Sequence, residues 1–205
     1  MAPVRHRPVH AVTVVVVMHL LGGRVTSALV DETLMPNRNG SSVVRAVIEK
    51  IDASKIFEYS GWWQSANKKA LVKIFLRRMA YVETRDGKSY SVGGIWNVAE
   101  EMFNQTKSPS VAYSDHYRSI LQKMRSSILN MDWRNITYAN MTVPIYSGLA
   151  VALYLDKLIF MHGSGFLPTN PGRLNNLWRD HFDGVSRTVS WDDAVQELIR
   201  NERTY

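Results

Sequence analysis

Between Ala66 and Val82 the apolar residues Leu71, Ile74, Phe75, Met79 and Val82 recur at helical spacing, and the pattern stops at a single carboxylate, Glu83. Such spacing gathers side chains on one face of an α-helix, and a broad apolar face belongs to a helix at the centre of its domain. A carboxylate is an unfavourable way to end that helix. The helix dipole presents partial negative charge at its C-terminus and favours cations there. A Glu kept in this position calls for a specific partner or a specific use.

The same reading extends along the chain. Ser41-Ser42 offers an N-cap for a helix through Val43, Val44, Val47, Ile48 and Ile51. Further helices are predicted from Ile95 to about Asn104, from Val111 through Leu129, from Ile145 to Phe160 and from Leu174 to Phe182. A last helix starts at Ser190-Trp191-Asp192-Asp193 and runs through Ala194, Leu198 and Ile199. Pro109, Pro168, Pro171 and Gly172 mark the interruptions, and residues 84–93 read as a loop or short hairpin. The expected fold is mainly α, with one domain over residues 41–205 and a flexible leader over 29–40. A chain of 205 residues suffices for one well-filled core. With 45% hydrophobic and 21% charged residues, it is not a disordered chain.

The N-terminus has its own pattern. Arg5, His6 and Arg7 precede an apolar run from Ala11 to Leu21, and the small residues Thr26, Ser27 and Ala28 follow. This order predicts a secretory signal peptide over residues 1–28. The apolar run falls short of the roughly 20 residues that a membrane span needs. The formal net charge is +7, and loss of Arg5, Arg7 and Arg24 with that segment leaves a mildly basic protein. Such a charge suits anionic polymers, and no Lys/Arg block points to nucleic acid. There is no cysteine, which excludes disulfides and thiolate metal sites. His116, His162 and His181 lack metal-ligand spacing, and neither a G-x-S-x-G elbow nor a phosphate-binding glycine loop occurs. No metal and no cofactor are expected, and a monomer is. N-x-S/T sequons at Asn39, Asn104, Asn135 and Asn140 fit a secreted glycoprotein.

The stretch Tyr81-Val82-Glu83-Thr84-Arg85-Asp86-Gly87, followed by Gly93-Gly94-Ile95-Trp96-Asn97-Val98, carries the chemical argument. Protonating a glycosidic oxygen requires a neutral acid, and apolar packing around Glu83 is the kind of setting that supplies one. Gly93-Gly94 leaves room for a sugar against the backbone, and Tyr90 and Trp96 offer flat faces for stacking, although Trp96 reads equally well as a core residue. Asp86 is a candidate second carboxylate, although beside Gly87 it reads more simply as a turn residue.

A helix ending in Glu, a polar loop and then Gly-Gly-Ile-Trp-Asn-Val resembles the lysozyme-like superfamily of soluble lytic transglycosylases and goose-type lysozymes. It is also similar to secreted invertebrate lysozyme-like proteins with a Glu-x-x-Asp-Gly…Gly-Gly-Ile-Trp-Gln-Val pattern. The resemblance is sharp over about Ala80 to Phe103 and looser at the Tyr146–Phe160 helix and at Trp178-Arg-Asp-His-Phe-Asp183. It implies a lysozyme-like helical domain in which Glu83 is the catalytic acid. Gly94, Trp96 and Asn97 would line the substrate cleft, and Ser91 would hydrogen-bond the catalytic carboxylate. Two positions depart from the pattern. Asn97 stands where Gln is usual, and Phe182, a further expected substrate contact, stands at the Tyr of the Tyr-Asn motif, so it lacks the hydroxyl.

The expected function is cleavage of β-1,4 bonds in peptidoglycan or a related amino-sugar polymer, by hydrolysis or transglycosylation. Two alternatives come from the same residues. One is a lysozyme-like protein reduced to glycan binding, for which Asn97 and Phe182 argue. The other is a helical secreted interaction protein.

Overall fold

A computed structural model describes residues 30–58, 60, 65–89, 91–108, 110, 113–163, 166–168, 170–182 and 190–203. The signal segment expected over 1–28, Tyr90, and Asp183 of the last motif lie outside the described residues. The helices are α1 (Ser41–Ala53), α2 (Ala66–Thr84), α3 (Glu100–Lys107), α4 (Ser114–Met124), α5 (Pro144–His162), α6 (Leu174–His181) and α7 (Trp191–Arg203). No strand occurs among the described residues, and the fold is mainly α.

The centre is α5. Pro144 at its first turn supplies a preset φ and lacks only an N–H that has no intrahelical partner. The helix is apolar nearly all round, and α1, α2 and α3 pack against it. Its length and apolarity would allow it to cross a membrane, yet most of its surface is covered by protein. Close approach to α1 depends on Gly148. A Cβ there would lie 2.6 Å from Val47 Cγ1 and 3.2 Å from the Trp96 ring. On α2, Leu71, Phe75, Met79 and Val82 are buried as the periodicity requires, while Ile74 is half-buried at the rim.

A buried polar cluster joins three parts of the chain. Asp156 of α5 accepts from Ser60 Oγ (2.5 Å) and from Tyr113 OH (2.5 Å), and His116 Nε2 lies 3.0 Å from it. Ser60 belongs to the α1–α2 connection, and the other two side chains come from the start of α4. Asp156 is thus a polar pin in an apolar helix. Burial and the neighbouring carboxyl push the Tyr113 phenol upward, so it stays a donor.

Several boundaries differ from the sequence reading. Residues 31–40 are built into the domain, contrary to the expected flexible leader. Asp31 caps a 3₁₀ turn over Glu32–Leu34 and pairs with Lys50. Farther along, Asn37 N–H donates to Thr142 O (2.9 Å) and Gly40 N–H to Asp86 O (2.7 Å). The cap of α1 is Gly40, at φ 103°, in place of a serine. Helix α3 starts at Glu100 because residues 93–98 close into turns, with Val98 N–H on Gly93 O (2.9 Å) and Asn97 at φ 47°. Helix α4 stops at Met124, where a π-turn over Arg125–Leu129 takes over until left-handed Asn130.

Replacing Gly148 by Val overfills the α1–α5 crossing, because Val47 and Trp96 are buried and have nowhere to move. Gly148→Val is expected to destabilise the fold by about 1–3 kcal/mol in chemical denaturation. A loss below about 0.5 kcal/mol would mean that the crossing has slack.

Candidate active site

Glu83 occupies the last turn of α2, which closes with a left-handed cap. Arg85 (φ 53°), Asp86 (φ 61°) and Gly87 (φ 85°) are consecutive left-handed residues. Asp86 N–H returns to Ala80 O (3.1 Å) and Arg85 N–H to Tyr81 O (2.9 Å), satisfying carbonyls that the helix leaves open. Thr84 ties this cap to the next turn. Its Oγ1 donates to Ile95 O (2.5 Å) and accepts from Gly87 N–H (2.8 Å). Gly87 is required, since a Cβ there would sit 2.7 Å from Asn39 Cβ.

The Glu83 carboxylate is half-buried and accepts from two remote donors. Asn97 Nδ2 donates to Oε2 (3.0 Å), and Trp178 Nε1 donates to Oε1 (2.6 Å). The Asn97 amide is itself oriented. Its Oδ1 accepts from Ser91 Oγ (2.5 Å), so its NH₂ faces the carboxylate. Ser91 Oγ in turn accepts from Gly93 N–H (3.1 Å). These donors supply the positive field that the end of α2 lacks. They also hold the carboxyl in one orientation, with one N–H on each oxygen.

In the sequence Trp178 stands out only as the start of the looser Trp178–Asp183 resemblance. It is buried in an aromatic stack, 5.3 Å from Trp191 between ring centroids, while its N–H serves Glu83. The signal available in the sequence was chemical, because a buried indole N–H needs an acceptor. Phe182 sits in the same stack, 5.1 Å from Phe75 and 5.3 Å from Tyr154. At 3% exposure it packs behind the site, a correction to its reading as a substrate contact.

Other expected roles also change. Trp96 is fully buried, its Nε1 donating to Leu76 O (2.8 Å), so it has no face to offer a sugar. Gly93 and Gly94 serve close backbone packing on the side where a Cβ would project. Cβ atoms there would meet Val98 O at 2.3 Å and Met141 O at 2.0 Å. Asp86 is buried and held by both Arg77 Nη1 (2.5 Å) and Nη2 (3.0 Å). Burial pushes its carboxyl upward and the guanidinium opposes that shift. It is a turn residue and not a second catalytic carboxylate. Among the sequons, Asn39, Asn104 and Asn135 are exposed, whereas Asn140 is half-buried and caps the Tyr138–Thr142 turn. The described residues contain no cluster of His, Asp and Glu able to hold a metal.

No protein-family model, curated protein or solved structure matches this chain.

Trp178→Phe keeps the ring in the stack and removes the donor to Glu83. A double-mutant cycle with Glu83→Ala, read by denaturation, is expected to give a coupling of about 1 kcal/mol. Additive losses would show that this bond contributes nothing.

Proposed function

We propose that the protein is a secreted enzyme of lysozyme-like type that cleaves β-1,4 bonds of peptidoglycan or a related amino-sugar polymer. The observation supporting this reading is the Glu83 carboxyl, half-buried at a helix end and oriented by Asn97 and Trp178. As the general acid, Glu83 carries one proton on its carboxyl. Glu83 passes that proton to the leaving glycosidic oxygen as the C1–O bond breaks and C1 becomes oxocarbenium-like. Attack at C1 then gives one of two products. Water yields hydrolysis, and a hydroxyl of the same sugar yields an anhydro product. In either case the attacking oxygen returns a proton to the Glu83 carboxylate.

A second reading, a glycan-binding protein of reduced activity, draws support from Asn97. Its amide is committed to Ser91 and Glu83, which leaves it less to offer a substrate.

Turbidity clearance of a Gram-positive cell-wall suspension separates the two. The wild type is expected to clear it, and Glu83→Gln to lower the rate by at least about 10²-fold with the fold intact. Wall binding without clearance by either protein would select the second reading.

A further inference from the structure

Beside the Ser91–Asn97 pair lies a cavity of about 210 Å³, lined in part by Asn37, Arg38, Lys88, Ser89, Ser91 and Gly94. Its position is informative. Ser91 forms part of its wall and also holds Asn97, which holds Glu83. A ligand in this cavity is therefore one hydrogen-bonded side-chain pair away from the carboxyl.

The cavity is charged with one sign. Among the described residues two cations line it, and no Asp or Glu does. Lys88 is exposed and, among the described residues, has no carboxylate within ion-pair distance. Arg38 has only Glu32, at 3.8 Å and half-exposed, which in water offsets little of its charge. The carboxylate nearest to Lys88 in sequence, Asp86, is buried and paired with both Nη atoms of Arg77, and it acts on Lys88 only through space.

The walls are also fixed in place. Asn37 is tied to Thr142, Gly40 to Asp86, and Ser89 N–H to Thr84 O (3.0 Å). Left-handed Asn37 and Gly87 set the two turns that face each other across it. A cavity already stitched by backbone hydrogen bonds needs little ordering when a ligand enters. Its volume is below the roughly 300–1,000 Å³ of a site that encloses a whole small ligand. It suits one substituent or one sugar of a longer chain.

We propose that this cavity is a subsite for a carboxylate substituent of the glycan, held by Lys88 and Arg38. The polar side chains of Asn37 and Ser89 supply neutral hydrogen bonds around it. The inference rests on the reading of Glu83 as the catalytic acid of a glycan-cleaving enzyme and names the substrate class of that enzyme.

The test is binding to the Glu83→Gln full-length protein, which retains ligand without turnover. Three tetrasaccharides serve as probes. One is neutral poly-N-acetylglucosamine, one carries the lactyl carboxylate of bacterial wall on alternate sugars, and one alternates N-acetylglucosamine with glucuronic acid. At low salt the acidic probes are expected to bind about tenfold more tightly than the neutral one. Lys88→Gln with Arg38→Gln should abolish that preference, and raising the salt to about 1 M should shrink it. Preference for only one acidic probe identifies the source of the anion. Equal binding of all three, or a preference that survives the double substitution, overturns the subsite and leaves the glycan reading standing. Binding of none overturns both.

Discussion

Trp96 is the interaction on which the site depends. Its ring is fully buried against Gly148 of α5, and its N–H reaches the Leu76 carbonyl in the middle of α2. One side chain thereby fastens the 93–98 turn to the two central helices at once. Asn97 follows it immediately and inherits that placement. Gly93 and Gly94 serve the same end, because only residues without Cβ atoms let the turn close on Val98 and lie against Met141. The polar half of the site is thus positioned by an apolar anchor.

The other half arrives from far along the chain. Trp178 lies 95 residues beyond Glu83, and it is held by stacking with Trp191 of α7. Phe75 of α2 contacts both Phe182 and Trp191, so the helix that ends in Glu83 also carries part of the packing behind the indole. Core and site share residues here. A change in this aromatic layer would move the donor relative to the carboxylate, and at such sites displacements of about 1 Å matter.

What the sequence disclosed follows from the range of each interaction. The apolar faces of α1 and α2 and the isolated Glu83 are written within a few turns of helix, so periodicity reveals them. The Ser91–Asn97–Glu83 chain spans only 14 residues in its longer bond, so motif reading named all three, although it put Ser91 directly on the carboxylate where the structure routes it through Asn97. The Trp178 bond and the burial of Phe182 are set by tertiary packing, which no local pattern encodes. Trp96 failed as a sugar platform for a related reason. An aromatic beside a polar loop reads the same whether its ring faces in or out. Residues 31–40 looked like a leader because their anchors, Lys50, Asp86 and Thr142, are distant in sequence.

Asn97 shows how backbone geometry can select a side chain. At φ 47° it sits in the left-handed region, which Asn tolerates better than most residues that carry a Cβ. Its short amide then bridges Ser91 and Glu83 with no slack, at 2.5 Å on one side and 3.0 Å on the other. A Gln in the same backbone would have to fold back an extra methylene to keep both bonds. The departure that seemed to subtract a substrate contact thus supplies an oriented donor to the carboxylate. Under the proposed function that commitment leaves recognition to other groups, and the cationic cavity lined by Ser91 is the one we propose for it.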